Sequence, residues 1–236
     1  MMPEFNLVDE PWIPCLMPDG SPVTFSLREV LTQAHTIKEV YDPSPLVTVA
    51  LHRILLAILH RNFGPATLEN WKRLWAAGCW DGAVIGAYLD RWQSRFDLFH
   101  PQRPFHQVPE MPGVPTHPIQ LLAQEAASGN NPTLFDHSYS DRPAPMPAAR
   151  AARYLIATQA FAIGGGVSRP FNLTDAPLAR GYSVLAMGDN LFETSALNFM
   201  EPPGGVRRTA DDLPAWEQDA PAQPDKAGTP EKGYLD

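Results

Sequence analysis

The stretch of sequence that decides the fold is SPLVTVALHRILLAILHRNFGP, residues 44–65. At 100° per residue, its leucine, isoleucine, valine and alanine side chains cover more than half of a helix circumference, which predicts a helix buried in a core. Ser44 as N-cap and Pro45 at the first helical position predict where the helix begins. Gly64 and Pro65 predict where it ends.

The same stretch argues against a membrane span. Its apolar run, residues 46–59, is interrupted by His52 and Arg53. The run is also shorter than the ~20 residues that a spanning helix needs. Arg53 and His60 share the remaining polar strip of the helix. We therefore expect a core helix and no membrane partner.

Upstream of this helix, the sequence predicts a β-hairpin. Residues 12–17 and 22–25 are the two arms, and Pro-Asp-Gly at 18–20 is the turn. Prolines within the arms suggest edge strands. Ser-Leu-Arg-Glu at 26–29 is a capping box that opens a short helix ending near residue 34.

Downstream, further helices are predicted over 68–77, about 82–96, 118–127 and 148–162. Residues 182–185 and 191–197 are predicted as short strands, or as a strand and the start of a helix. Trp71 and Trp75 are spaced i, i+4, which favours packing over base stacking. We predict an α+β fold: an irregular, loop- and Pro-rich globular domain over 1–200, with an N-terminal β-hairpin and several core helices. A flexible, Pro-rich acidic segment is predicted over 201–236.

Composition narrows the class of protein. The chain has 236 residues, of which 44% are apolar and 26 are proline. This much proline excludes a coiled coil, a collagen-like rod and a regular helical bundle. The start of the chain lacks the features of a signal peptide. Because Cys15 and Cys79 lie far apart in sequence, we expect reduced thiols in a cytoplasmic protein.

The charge distribution leaves nucleic-acid binding open. A net charge of −8 argues against bulk binding to nucleic acid. Residues 137–182, however, carry a local charge of +3, with five arginines and two aspartates. The arginines are Arg142, Arg150, Arg153, Arg169 and Arg180. Such a field can contact phosphates, and the alternative is that these arginines are solvated or paired.

No motif predicts catalysis. None of the seven histidines forms an H-x-x-x-H or HExxH pair, and no serine lies in a G-x-S-x-G elbow. Asp136 and His137 are adjacent, but adjacency in sequence does not make a catalytic triad. We therefore predict no catalytic residues, no metal and no cofactor.

The sharpest feature is a run of three glycines. Gly164, Gly165 and Gly166 let the backbone approach a ligand with no Cβ in the way. Ser168 and Arg169 follow closely and suit a phosphate or a groove edge. The run lacks the Walker and Rossmann patterns. The alternative is a helix C-cap and turn, which needs fewer glycines.

A second feature is the polar, turn-rich stretch 128–138. It carries one large apolar side chain, Phe135. A loop of this kind can insert into a partner.

Several motifs in order resemble the CasA family, the large subunit of the type I-E CRISPR Cascade complex. The matching stretches are residues 5–14, 42–47, 97–101, 128–131, 133–137 and 164–166. Together they extend over about residues 5–200. No single stretch is decisive, but their order along the chain is specific.

The resemblance implies a non-enzymatic subunit of an RNA-guided surveillance complex. Such a subunit takes part in recognising the PAM on double-stranded target DNA, largely from the minor groove, and a helicase-nuclease is recruited through it. Gly164, Gly165 and Gly166 match the glycine-rich loop that approaches the PAM. A second loop anchors the subunit near the 5′ handle of the guide RNA. Its counterparts here are Asn130, Asn131, Thr133 and Phe135.

The chain is about half as long as the family, so the resemblance implies an N-terminal fragment. Two rival interpretations remain open. The chain could dock on the other Cascade subunits as a scaffold without touching DNA. Alternatively, it could be an unrelated hydrolase that uses Asp136 and His137.

Overall fold

The computed structural model describes residues 4–109, 116–123, 145–163, 175–199 and 212–218. Near its N-terminus is an antiparallel sheet of three strands in the order β2-β1-β3. Strand β1 is Ile13–Leu16, β2 is Pro22–Phe25 and β3 is Glu39–Val40. The first two form the predicted hairpin, in which Ile13 lies opposite Phe25. The third strand was not predicted, because two residues are too few for a periodic pattern.

Six α-helices are described. They are α1 (Leu27–Thr32), α2 (Pro45–Phe63), α3 (Leu68–Ala77), α4 (Gly82–Trp92), α5 (Ala148–Phe161) and α6 (Leu191–Leu197). Short 3₁₀ helices lie at Gln93–Phe96, Ile119–Leu122 and Ala215–Glu217. A hairpin combined with several core helices confirms the predicted α+β class.

Local side-chain chemistry sets several helix starts. Ser26 and Glu29 form the predicted capping box at α1. The Thr67 hydroxyl accepts from the backbone N–H of Asn70 at the start of α3. Ser44 is the N-cap residue of α2, as predicted, but its side chain makes no capping hydrogen bond. Instead its backbone N–H donates to the Asp42 carboxylate at 2.9 Å.

Helix α2 is the centre of the core. It packs against α5, α4, α6 and β3. Leu51, Ile58 and Leu59 are fully buried. The predicted polar strip is wrong at His60, which is buried with its ring 4.6 Å from that of Phe199. Among the described residues, α2 is the one helix whose length and composition would allow it to cross a membrane, and half of its most apolar window is buried in the protein.

The structure differs from the sequence prediction in three further places. Residues 182–185 form no strand, whereas 191–197 form helix α6, in agreement with the predicted alternative of a helix start. Within the predicted 118–127 helix, the described part is the short 3₁₀ helix Ile119–Leu122. These segments are too short for periodicity to separate helix from strand.

The third difference concerns residues 212–218, which the sequence places in a flexible segment. Trp216 is buried, and its ring lies 5.2 Å from that of Phe96. Glu217 pairs with Arg61 at 2.9 Å and accepts a hydrogen bond from the Tyr88 hydroxyl at 2.6 Å. These residues are therefore packed against α2 and α4. The boundary between a domain at 1–200 and a following segment stays a prediction.

Candidate functional site

The residues predicted to contact DNA and to dock the complex lie outside the described part of the chain. The first set is Gly164, Gly165, Gly166, Ser168 and Arg169. The second set is Asn130, Asn131, Thr133 and Phe135. The candidate site is therefore defined by the described residues that hold the two ends of each stretch.

The described residues on either side of the glycine-rich stretch lie close together. Helix α5 ends at Phe161, and the chain returns at Asp175. The Ala176 backbone N–H donates to the Ala162 carbonyl at 2.8 Å, and the Leu178 N–H donates to the Ala160 carbonyl at 2.9 Å. These two backbone hydrogen bonds hold residues 176–178 at the C-terminal end of α5.

The second stretch begins beside the same end of α5. The 3₁₀ helix Ile119–Leu122 packs on α5, and Ala123 is buried at the last described position before 124–144. The Thr158 hydroxyl lies 3.2 Å from the Leu122 carbonyl oxygen and 2.9 Å from the Tyr154 carbonyl oxygen. Its single proton is shared between these two acceptors.

Thr158 contacts described residues that come just before each of the two stretches. Its side chain contacts Leu122, just before residues 124–144, and its backbone carbonyl accepts from the Ala162 N–H, just before residues 164–174. Described residues just before the predicted docking stretch and just before the predicted DNA-contacting stretch therefore meet at one helical turn. Sequence reasoning missed Thr158, because one hydroxyl on an alanine-rich helix carries no motif.

We expect Thr158→Val to lower the free energy of unfolding by about 1 kcal/mol, since it removes the hydrogen bond to Leu122 and keeps the side-chain volume. Urea denaturation measures the loss. Thr36→Val is the control, because the exposed Thr36 hydroxyl donates only to the nearby Gln33 carbonyl. If Thr158→Val and Thr36→Val lowered the free energy of unfolding equally, Thr158 would have no special role in joining the residues that precede the two stretches.

Three of the five arginines in the predicted phosphate-binding field are described, and each contacts a partner. Arg153 pairs with Asp42 at 3.0 Å, and Arg180 pairs with Asp175. Arg150 donates to the Tyr154 hydroxyl at 3.1 Å. For these three positions the structure agrees with the alternative that the arginines are paired.

Two of the described histidines, His52 and His106, lie in surroundings that suppress their charge. Burial lowers the pKa of His52, whose Nδ1 lies 2.8 Å from the Thr48 carbonyl oxygen. Burial also lowers the pKa of His106 to about 4, and the nearby Arg53 adds to the shift. Among the described residues, no group of three His, Cys, Asp or Glu side chains could hold a metal ion.

His106 lines an open cleft of about 270 Å³. The cleft also contains Arg95, Arg103, Gln159 and Trp216. His106 has a φ of 51°, in the left-handed region that is uncommon for residues other than glycine. The described lining includes no carboxylate, serine or cysteine, so these residues do not assemble a nucleophile with a base.

The fold matches solved structures of CRISPR-associated proteins. A chain in the structure titled "CRISPR RNA-guided surveillance complex, pre-nicking" is 30% identical with a TM-score of 0.80, and the match covers 98% of this chain and 48% of that one. The structure of Thermus thermophilus CasA (Cse1) is 38% identical with a TM-score of 0.75, covering 91% of this chain and 42% of that one. This architecture is therefore that of the Cse1 proteins.

Sequence comparison leads to the same family. The profile of CRISPR-associated protein Cse1 matches residues 6–236. The CRISPR-associated protein CasA/Cse1 of Thermus thermophilus is 43% identical over 217 residues. The chain belongs to the Cse1 family, which confirms the resemblance to CasA. It covers 42% of the length of that relative.

Proposed function

We propose that this chain is the part of a Cse1 subunit that brings target DNA and guide RNA together in a cytoplasmic Cascade surveillance complex. The observation that carries the proposal is the match over 98% of the chain to a component of a CRISPR RNA-guided surveillance complex. The subunit binds nucleic acid without catalysis. Its partners are the other Cascade subunits, the guide RNA, double-stranded target DNA and a helicase-nuclease.

The glycines at 164–166 contact the PAM in this proposal. A backbone without Cβ atoms can approach the floor of a minor groove, where the donor and acceptor pattern of the bases is degenerate. The two hydrogen bonds at Ala162 and Leu178 support this role, because they hold together the described residues on either side of the stretch. A contact made by backbone would tolerate several PAM sequences.

The second stretch anchors the subunit near the 5′ handle of the guide RNA. Asn130, Asn131 and Thr133 supply hydrogen-bonding groups, and Phe135 supplies an apolar anchor. Thr158 contacts described residues just before both stretches, which supports a role in keeping the DNA contact and the anchor in register. The helicase-nuclease is then recruited through the same subunit.

The proposal is tested by Gly165→Leu in the Cascade complex assembled with the full-length subunit. We expect normal assembly and at least about tenfold weaker binding to a PAM-bearing duplex, an effect comparable with one mismatched base pair. Filter binding or biolayer interferometry at a fixed salt concentration measures this loss. A duplex without a PAM reports the non-specific background.

Gly86→Ala is the control substitution. A Cβ at Gly86 has Arg28 Nη1 as its nearest neighbour, 3.9 Å away, so it fits without displacement. A Phe135→Ala variant separates the two stretches, since we expect weaker assembly at unchanged PAM preference. Unchanged duplex affinity in Gly165→Leu would refute the PAM contact and favour the scaffold alternative. The paired state of Arg150, Arg153 and Arg180 is the observation that keeps this alternative in view.

A further inference from the structure

An exposed apolar segment follows the candidate site in the chain. Residues 182–185, Tyr-Ser-Val-Leu, run without a helix, turn or bend. Tyr182 is fully exposed, and Val184 is 87% exposed. Aromatic and β-branched residues at alternate positions are typical of a strand with one covered face. In this protein the side chains of Tyr182 and Val184 are instead exposed.

The backbone of this segment is also open. Among the described residues, none exchanges a hydrogen bond with the backbone N–H or C=O groups of 182–185. Such a row of unpaired groups is a template for pairing with another strand, and proteins usually cover it. The segment therefore has both properties that strand addition uses: backbone groups that no described residue pairs with, and alternating apolar side chains.

The body holds the C-terminal end of the segment firmly. The Asn198 side-chain amide hydrogen-bonds both backbone groups of Ala186, accepting from its N–H at 3.0 Å and donating to its C=O at 2.7 Å. This is the pairing that a neighbouring strand would make. Gly188 lies against α6 so closely that a Cβ there would be 2.3 Å from the Cβ of Glu193.

The Asn198 contact indicates which backbone groups remain free for a partner. In an extended strand, consecutive N–H groups point to opposite edges. Asn198 occupies the edge of Ala186, so Ser183 and Leu185 present their N–H groups at the opposite edge. A strand added there would use the backbone of these two residues.

We propose that residues 182–185 pair, through Ser183 and Leu185, with an extended segment from the further polypeptide that full-length Cse1 proteins carry. Chain length supports this choice of partner segment, because the chain covers only 42% of the length of its Thermus thermophilus relative. The 182–185 segment has no charged side chain, so an uncharged, β-branched or aromatic partner strand suits it. The inference rests on family membership and does not depend on DNA binding.

Amide hydrogen exchange tests the pairing. We expect the amides of Ser183 and Leu185 to exchange at least about a hundredfold more slowly in the full-length subunit than in the 236-residue chain, because pairing closes them to water. The amides of Tyr182 and Val184 are expected to stay fast in both. Mass spectrometry with fragmentation, or nuclear magnetic resonance, resolves single residues.

Two proline variants of the full-length subunit provide a matched pair. Ser183→Pro removes an N–H that the partner needs, so the amide of Leu185 should become fast. Val184→Pro removes an N–H at the other edge and should leave Leu185 slow. Fast exchange of Leu185 in the unmodified full-length subunit would overturn the proposal. Exchange of Leu185 in the 236-residue chain could also be slow and become slower as the protein concentration increases. If the chain then also had the mass of a dimer, the partner would be a second copy, and the proposal would be overturned.

Discussion

Trp12→Ala should be among the most destabilising substitutions in this protein, lowering the free energy of unfolding by about 4 kcal/mol. Trp12 is completely buried. Its indole N–H donates to the Leu7 carbonyl at 2.9 Å, and its backbone N–H donates to the Phe25 carbonyl at 3.0 Å. The residue therefore joins the N-terminal segment to the hairpin. Removing the ring leaves a cavity and takes away one of the two hydrogen bonds that the Leu7 carbonyl accepts, the other coming from the Leu27 backbone N–H.

Urea denaturation followed by circular dichroism measures this loss. Domains are typically stable by only about 5–15 kcal/mol, so this loss would be a large fraction of the total stability. Trp12→Phe is the matched control, because it keeps most of the buried volume and removes the indole N–H. We expect the control to lose clearly less stability than Trp12→Ala. A loss below about 1 kcal/mol for Trp12→Ala would show that this packing does not support the fold.

Arg153→Met should lower the free energy of unfolding by about 3 kcal/mol. The Arg153 guanidinium pairs with Asp42 at 3.0 Å and donates to the Trp12 carbonyl at 2.9 Å, which connects α5 to the N-terminal part of the chain. The exposed fractions of the two paired side chains are 20% and 10%. Burial lowers the pKa of Arg153, against the opposing effect of Asp42. Losing the guanidinium would leave the Asp42 carboxylate poorly solvated and without its cation.

Arg180→Met is the matched control, because Arg180 also pairs with an aspartate but its side chain is 73% exposed. We expect it to change stability by less than about 1 kcal/mol. The double variant Arg153→Met with Asp42→Asn should recover part of the loss, since it removes the unpaired charge. Equal effects at Arg153 and Arg180 would contradict a structural role for the Arg153 pair. Comparing the two arginine variants also distinguishes arginines that stabilise the fold from any arginines that contact phosphate.

Much of the fold follows from short-range patterns. The Pro-Asp-Gly turn places Gly20 at a φ of 81°, where glycine is favoured, and the hairpin arms follow from it. The capping box at Ser26 and the cap at Thr67 fix helix starts through contacts only three residues long. Helix α2 begins and ends where proline and glycine predict. These features depend on neighbours in sequence, so one sequence is sufficient to predict them.

The candidate site likewise has some residues that the sequence alone indicates and others that it does not. The glycines at 164–166 and the polar stretch 128–138 stand out by composition, and their ordered motifs led to the family. Thr158, which contacts residues just before both stretches, carries no sequence signal. Asn198 is equally inconspicuous, yet its amide holds Ala186 twelve positions earlier. Roles of this kind depend on which backbone groups folding brings within 3 Å of a side chain.

The amino-acid sequence by itself determined the hairpin, the main helices, the mixed α+β class and the Cse1 family, because local periodicity, caps and ordered motifs are properties of neighbouring residues. Only the tertiary structure decided that Trp216 docks beside Phe96 and that Arg153 is committed to Asp42. The physical reason is distance along the chain. Each of these outcomes joins groups far apart in sequence, and burial and pairing of such groups are settled only when the whole core packs.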